Sequence, residues 1–188
     1  MAMKSLYFVI FAVVSMFVSA CQPAAAPVAI SNRPVSINDV RQPGEPSKPV
    51  ADMAWTMLDG GEGRIADHRD KVLILDFWAT YCGPCRDEVP HLNSLQTKYG
   101  IDRVQVIGLN VGGDEDRPKI APFMKELNAT YTVAIPEQAL MDYMSKDDDR
   151  IPQTAVFDRQ GKLVVKFVGF DSRVGDQIDR AVETALAQ

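Results

Sequence analysis

Hydrophobic and polar positions follow two patterns beyond about residue 50 of this chain, one typical of buried strands and the other of helices. Val72–Trp78 is apolar except for Asp76, which is typical of a strand buried on both faces of a sheet. Val104–Leu109 has the same character. Between these two strands, the segment after Cys85 predicts a helix to about Tyr99. The succession of strand, helix and strand predicts the centre of an α/β domain.

Shorter elements are predicted on both sides of this centre. In chain order they are a hairpin with a Gly-rich turn at Trp55–Ile65, a helix at about Arg117–Leu127 that Asp116 can cap, a strand at Tyr131–Ile135, a second hairpin formed by Thr154–Phe157 and Lys162–Val168, and a helix at about Val174–Ala187. Together they predict a central mixed β-sheet flanked by helices on both faces.

The first 21 residues have the pattern of an export signal. Lys4 supplies a positive charge, and Leu6–Val18 is a run of thirteen residues without charge. As a helix this run spans only about 20 Å, which is short of the roughly 30 Å hydrocarbon layer of a bilayer. It ends on the letters VSAC, which resemble the lipobox of bacterial lipoproteins. That resemblance implies a signal peptide over residues 1–20 and a lipid attached to Cys21, which anchors the protein to a bilayer.

A Pro/Ala-rich segment over residues 21–49 separates this signal from the domain. Gln22–Pro49 contains six of the chain's 12 prolines and no aromatic residue. Such a composition buries too little apolar surface to offset the entropy of ordering, and proline favours extended backbone. We expect residues 21–49 to be a tether and residues 50–188 to be the folded domain.

Composition adds only a few constraints. The chain has 188 residues, of which 46% are hydrophobic and 24% charged, with a formal net charge of −5. Residues 51–188 carry 16 basic and 23 acidic side chains, a net of −7, so the acidity belongs to the domain. An acidic surface gives no electrostatic reason to expect nucleic acid as a partner.

Two of the three cysteines, Cys82 and Cys85, lie where the strand Val72–Trp78 gives way to a helix. The unpaired N–H groups and the dipole of a helix N-terminus favour the thiolate of the first cysteine. The thiolate is the reactive species, so this position increases reactivity at neutral pH. Cys85 lies one turn inside the helix, within reach of a disulfide. The pair therefore predicts a reversible two-electron switch.

Metal binding is the competing interpretation of the same cysteines. A structural zinc site needs four ligands, and the domain offers Cys82 and Cys85 with His68 and His91, which are too far apart in sequence to form a histidine pair of the usual spacing. A copper site formed by Cys82, Cys85 and His91 agrees with the softness of the ligands. A copper-binding assembly factor for cytochrome oxidase is thus an alternative, but we predict no metal and no other cofactor.

The segment Asp76–Pro90, DFWATYCGPCRDEVP, resembles the active site of the thioredoxin superfamily and, within it, of the TlpA/ResA branch. The segments IPQT (151–154), VFDRQGK (156–162) and VGF (168–170) are similar to the same branch. The resemblance covers about Val50–Gln188 and implies an α/β, thioredoxin-like fold with an N-terminal hairpin. The long span from Cys85 to Pro152 adds an expected strand–helix insertion.

The resemblance also implies roles for individual residues. Cys82 is the attacking cysteine and forms a mixed disulfide with a partner protein, and Cys85 is the resolving cysteine. The residues expected to contact the substrate are Trp78, Tyr81, Gly83, Pro84, Ile151 and Pro152. Ile151–Pro152 matches the cis-proline loop of the family, and Tyr81 replaces the tryptophan that is usual before the first cysteine.

Two carboxylates are candidates for accepting the proton of Cys85. Asp76 matches the buried aspartate of thioredoxin, and Glu88, three residues after Cys85, matches the glutamate of the ResA-like branch. Burial of either would raise its pKa and suit it to this role. The sequence slightly favours Asp76, because a charged residue in the middle of a strand is hard to explain structurally.

These features together predict a membrane-anchored thiol–disulfide oxidoreductase of the cell envelope, with its domain in the periplasm or outside the cytoplasmic membrane. The Gly-Pro pair between the cysteines resembles reducing thioredoxins and favours a reductase over an oxidase or isomerase. Expected substrates are disulfide-containing envelope proteins, including those of cytochrome c biogenesis. The expected electron donor is a membrane thiol transporter of the DsbD or CcdA type. The acidic loop Asp147–Asp149 is a further candidate, as a rim that favours partners with basic flanks.

Overall fold

The computed structural model describes residues 48–188; the predicted signal peptide, Cys21 and nearly all of the predicted tether lie outside them. The described elements are β1 (Ala54–Met57), β2 (Glu62–Arg64), β3 (Val72–Trp78), α1 (Gly83–Tyr99), β4 (Val104–Asn110), α2 (Arg117–Glu126), β5 (Thr132–Pro136), α3 (Gln138–Ser145), β6 (Gln153–Phe157), β7 (Leu163–Val168) and α4 (Ser172–Leu186), with short 3-10 turns at Val50–Asp52 and Ile65–His68.

The seven strands form one mixed sheet in the order β2-β1-β5-β4-β3-β6-β7. The central strand β3 runs parallel to β4 and antiparallel to β6. Asp76 in β3 lies opposite Gly108 on one side and Thr154 on the other. The C-terminal end of β3 lies beside the N-terminal end of β6, where Phe77 pairs with Gln153. Segments that leave β3 and enter β6 therefore meet at one edge of the sheet.

Alternation along β3 sends its side chains into two separate hydrophobic cores, and all seven residues are buried. Val72, Ile74 and Trp78 face a core shared with α1, α2 and α4. Leu73, Leu75 and Phe77 face the other core, which includes Leu140 and Met144 of α3. Because helices cover both faces, the central strand is apolar throughout, and Asp76 is its one charged exception.

The predicted fold class is confirmed. The N-terminal hairpin, the strand–helix segments around β3 and the C-terminal hairpin and helix all lie close to their predicted bounds. The expected insertion consists of β5 and α3, and β5 extends the sheet in parallel with β4. No helix in the part of the chain described, residues 48–188, is long and apolar enough to cross a membrane.

One local prediction is wrong. Asp116 occupies the N-cap position of α2, but its side chain makes no capping hydrogen bond. The carboxylate instead accepts hydrogen bonds from Thr80 and Asn110. Capping is a local interaction, and here contacts from distant parts of the chain replace it.

Candidate active site

Cys82 and Cys85 are joined by a disulfide at the start of α1, with their Cα atoms 5.3 Å apart. Cys82 is the N-cap residue of the helix, and its sulfur accepts a hydrogen bond from the Cys85 N–H at 3.3 Å. Cys82 keeps 7% of its surface exposed, whereas Cys85 keeps 1%. Attack by an external thiol or disulfide is therefore easier at Cys82.

The start of α1 favours a thiolate at Cys82 once the disulfide is reduced. The first turn of the helix contains no acidic residue, and Pro84 occupies a position where a proline fits without losing a hydrogen bond. The sulfur of Cys82 thus faces the positive end of the helix dipole without a competing carboxylate in that turn.

The predicted substrate-contact residues divide into surface and core. Tyr81 is 71% exposed, and Gly83 and Pro84 are also exposed. Trp78, in contrast, is fully buried and stacks on Phe123 of α2 with ring centroids 4.9 Å apart. The prediction that Trp78 contacts the substrate does not fit this placement, because alternation along β3 directs its ring into the core.

The Ile151–Pro152 peptide bond is cis, and it precedes β6 at the sheet edge where β3 ends. Pro152 is buried and Ile151 is half-buried. The carbonyl of Pro152 accepts a hydrogen bond from the N–H of Gly169 at 2.8 Å, which ties this loop to the end of β7. Pro152 lacks an N–H, so a partner chain that pairs with the loop would use the backbone of Ile151.

Two carboxyl groups are buried beneath the disulfide. Glu88 is fully buried on α1, one turn beyond Cys85, and accepts a hydrogen bond from the hydroxyl of Thr154. Asp76 is 1% exposed and accepts a hydrogen bond from the hydroxyl of Tyr131 at 3.5 Å. Within residues 48–188, the second oxygen of each carboxyl group has no hydrogen-bond partner.

Burial without full hydrogen bonding raises the pKa of both carboxyls. Burial raises the pKa of Glu88 to about 7, although the Thr154 hydroxyl opposes this rise. Burial also raises the pKa of Asp76 well above its usual range, and the negative charge of Glu88 raises it further. Both carboxyl groups therefore favour the protonated form more than exposed ones do, and a pKa of about 7 lets Glu88 gain or lose a proton near neutral pH.

Three further residues lie around the two buried carboxyl groups. Thr154 lies across the sheet from Asp76 in β6, and Tyr131 precedes β5. Gly108 has no side chain, which leaves room for the rings of Tyr131 and Trp78. A Cβ at this position would lie 2.8 Å from the ring of Tyr131 and 3.0 Å from Nε1 of Trp78. Only the Thr in IPQT lay within a recognised motif; the other two depend on contacts made by the fold.

The described residues do not bring metal ligands together. No group of three or more His, Cys, Asp or Glu side chains within residues 48–188 is placed to hold a metal ion. His91 instead lies 3.1 Å from the carboxylate of Asp179 and packs against Phe170, while His68 stacks on Trp55. The donor set of Cys82, Cys85 and His91 considered for copper does not fit this arrangement.

Cysteines that alternate between a dithiol and a disulfide are the means by which proteins exchange disulfides with other thiols. The site and the mixed sheet define a thiol–disulfide oxidoreductase with a thioredoxin-like fold. The chain belongs to the Redoxin family, whose model matches residues 44–184.

Known relatives agree with this class. The chain is 30% identical to thiol-disulfide oxidoreductase ResA of Geobacillus kaustophilus over 135 residues, which cover 71% of this chain and 74% of that protein. It is 28% identical to thioredoxin-like protein YneN of Bacillus subtilis, over 72% of this chain and 75% of that one. A crystal structure of a thiol:disulfide interchange protein of Chlorobium tepidum is similar with a TM-score of 0.60 and 26% identity, over 76% of this chain and 99% of that one.

Proposed function

We propose that this protein is a lipid-anchored reductase of protein disulfides in the cell envelope. The observation that carries the proposal is the disulfide at the start of α1, with Cys82 more exposed than Cys85 and ionisable carboxyls buried behind them. This arrangement separates the group that meets the partner from the groups that handle protons.

The proposed reaction has two exchanges. The thiolate of Cys82 attacks one sulfur of the partner's disulfide, which forms a mixed disulfide and releases the partner's other sulfur as a thiolate. Cys85 then gives up its proton and attacks the sulfur of Cys82, which releases the second thiolate of the partner. The partner gains two electrons, and Cys82 and Cys85 end as a disulfide.

Glu88 is the better proton acceptor for Cys85. A general base must be ionised at the working pH, and a pKa of about 7 leaves Glu88 ionised in roughly half of the molecules at neutral pH. Burial and the charge of Glu88 raise the pKa of Asp76 well above its usual range, which favours its protonated form and limits the negative charge beside Glu88. This assignment reverses the order that the sequence favoured.

The surface around Cys82 suits an extended segment of a partner protein. Tyr81 and Pro84 offer exposed apolar surface beside the attacking cysteine, and Ile151 offers backbone at the same sheet edge. Asp149 and Ile151 together line a small cleft. The carboxylate of Asp149 at this position supports the idea that partners with basic flanks are favoured.

Insulin reduction tests the general activity. Residues 48–188, reduced with dithiothreitol, should accelerate the precipitation of insulin chains. Cys82→Ser should remove this acceleration, and Cys85→Ser should accumulate a mixed disulfide that mass spectrometry detects. A wild-type domain that folds and forms its disulfide but reduces no insulin would contradict a general reductase.

The direction of electron flow follows from the reduction potential of the Cys82–Cys85 pair, measured against glutathione or dithiothreitol buffers. A value near about −270 mV, as in thioredoxin, supports a reductase. A value above about −180 mV would instead indicate an oxidase or an isomerase. A reductase also needs an electron donor, and we propose a membrane thiol transporter of the DsbD or CcdA type.

The anchor is tested on the full chain. Wild-type protein expressed in a bacterium with lipoprotein processing should be found in the membrane fraction and carry acyl chains on Cys21. Cys21→Ser should lose the acyl chains and leave that fraction unless the uncleaved signal retains it, so mass spectrometry of the N-terminus accompanies the fractionation. A wild-type protein without acyl chains would overturn the lipid anchor.

A further inference from the structure

A third buried carboxylate, Asp116, contacts the loop that carries Cys82. Asp116 is 1% exposed, and its Oδ2 atom accepts a hydrogen bond from the backbone N–H of Thr80 at 2.9 Å. Its Oδ1 atom accepts a second hydrogen bond from the hydroxyl of Thr80. Thr80 lies two residues before Cys82, so both oxygens of one carboxylate hold the backbone next to the attacking thiol.

The carboxylate is itself fixed by the end of β4. Asn110 donates a hydrogen bond from its side-chain amide to Oδ2 of Asp116 at 2.8 Å, and its own oxygen accepts from the N–H of Gly112. Asn110 pairs with Trp78 across the two parallel strands, and the N–H of Val111 donates to the carbonyl of Trp78. The contact is thus anchored to two central strands of the sheet.

Space for Asp116 depends on a glycine. A Cβ at position 112 would lie 2.3 Å from Oδ2 and 2.4 Å from Cβ of Asp116, closer than any side chain permits. Asp116 also gives up the capping hydrogen bond that its position on α2 would allow. The carboxylate of Asp116 therefore forms hydrogen bonds with Thr80 instead of capping α2.

Asp116 is ionised in this environment. Burial alone would raise the pKa of Asp116, but hydrogen bonds from Asn110 and from the side chain and backbone of Thr80 outweigh it and hold the pKa below its usual value. Hydrogen bonds to a charged acceptor are stronger than those between neutral groups. The negative charge of Asp116 thus strengthens its hydrogen bonds with Thr80.

We propose that Asp116 is a positioning residue that holds the loop of the attacking thiol, so that the sulfur of Cys82 keeps its place at the helix N-terminus when the disulfide is reduced. It acts through Thr80 and touches neither the partner nor the sulfur. The inference rests on the proposed function only in taking Cys82 as the attacking group.

The test measures attack by Cys82 in the reduced protein. Asp116→Asn replaces one of the two acceptor oxygens by an NH2 group, which cannot accept, so the three hydrogen bonds from Thr80 and Asn110 cannot all be kept. We expect the second-order rate constant with a small aromatic disulfide to fall about tenfold or more. The thiolate absorbance of Cys82 near 240 nm, followed against pH, separates a changed pKa from a misplaced sulfur. Rates per thiolate should fall even after that correction.

Thr80 supplies graded variants. Thr80→Ser keeps the hydroxyl and should react nearly as fast as wild type, while Thr80→Val loses the hydroxyl but keeps the backbone N–H and should be slowed less than Asp116→Asn. Combining Thr80→Val with Asp116→Asn should slow the reaction no more than Asp116→Asn alone, because both remove the same contact.

Asp158 is the matched control. It is 3% exposed and its carboxylate accepts from the backbone N–H groups of Gln160 and Lys162, but it lies at the end of β6 remote from Pro152. Asp158→Asn should reduce stability and leave the rate per thiolate unchanged. If Asp116→Asn behaves like Asp158→Asn, Asp116 is merely structural and the inference is overturned. If the wild type itself fails to react, the proposed function fails instead.

Discussion

The two sides of the active-site disulfide hold buried carboxyl groups that differ in charge. Behind Cys85, burial raises the pKa of Glu88 to about 7 and raises that of Asp76 well above its usual range. Beside the loop of Cys82, hydrogen bonds lower the pKa of Asp116, although its surface is as little exposed as that of Asp76, 1% in each case. Low exposure alone therefore does not decide which carboxyl groups are ionised.

The number of hydrogen-bond donors is one reason for the difference, and the other is that Asp76 and Glu88 lie deeper in the protein than Asp116. Asp116 accepts three hydrogen bonds from Thr80 and Asn110, whereas Glu88 accepts one from Thr154 and Asp76 accepts a long one from Tyr131. Donors replace the solvation that burial removes, so a carboxylate with three of them stays charged. The protein thus has a fixed charge where it holds a loop and a titratable group where it moves a proton.

The largest effect that follows from this comparison is on how the free energy of unfolding depends on pH. The pKa of Glu88 rises from 4.5 to about 7 on folding, so the folded state retains a proton that the unfolded chain releases over that range. The resulting stabilisation is fully present below about pH 4.5 and is lost as pH rises through 7. A shift of this size corresponds to about 3 kcal/mol. Urea unfolding of the oxidised domain at several pH values measures it.

The variant Glu88→Gln tests whether Glu88 is the group that titrates in this experiment. The variant carries no titratable proton at this position, so its free energy of unfolding should fall less between pH 4.5 and 7 than that of the wild type. Asp116→Asn should instead flatten the loss of stability in acid, because a lowered pKa contributes stability that disappears as pH falls. Equal pH profiles for wild type and Glu88→Gln would show that Glu88 is not the titrating group.

The next effect is on catalysis. Glu88→Gln should slow resolution of the mixed disulfide by about 10²-fold, because Cys85 loses its general base, and should leave attack by Cys82 nearly unchanged. Acid quenching followed by mass spectrometry of a cyclic disulfide peptide reaction resolves the two steps. Asp116→Asn should slow the first step and spare the second. If both variants slow the same step, the assignment of separate roles to the two sides is wrong.

A smaller effect comes from the two threonines that donate to these carboxyls. Thr154→Val removes the hydroxyl that donates to Glu88 and should raise the pKa of Glu88, which shifts the midpoint of the pH profile for resolution upwards by roughly one unit. Thr80→Val should leave that midpoint unchanged, because the hydroxyl of Thr80 donates to Asp116. A shift in the Thr80 variant would show that the two carboxyl environments are coupled.

The smallest expected effect concerns the acidic loop. Asp148 forms an ion pair with Arg150, and the hydrogen bonds from Arg150 lower the pKa of Asp148 to about 2. Replacing Asp147, Asp148 and Asp149 by Asn should slow the reaction with basic disulfide peptides by no more than about threefold at low salt, since exposed charges are screened. Unchanged rates at low salt would remove a role for this loop in partner choice.

Much of the fold could be predicted because it depends on local patterns. The apolar run of β3 and the cysteines at the start of α1 can be recognised in the sequence itself. The helix α3 was foreseen only as part of an insertion, since it has eight residues and no side-chain cap. Short elements of this kind are stabilised by packing and not by their own sequence.

Site residues that belong to a motif could be predicted from the sequence, whereas those that meet only in the folded protein could not. Cys82, Cys85, Pro152 and the two candidate carboxyls all belong to recognisable segments. Tyr131 reaches Asp76 across 55 positions, and Asp116 reaches Thr80 across 36, and no periodicity in the sequence reports such contacts. The choice between Asp76 and Glu88 likewise depends on how each is solvated after folding.

Gly108 shows how contacts of this kind would appear in a mutational screen. The space beside it is filled by the ring of Tyr131 and the indole of Trp78, so a side chain there has no room. In a saturation screen scored by growth under conditions that require the oxidoreductase, position 108 should tolerate as few substitutions as the cysteines. The screen would then detect a residue that performs no chemistry, and mutational intolerance in this protein would trace the shape of the site around the two buried carboxyl groups as well as its reactive atoms.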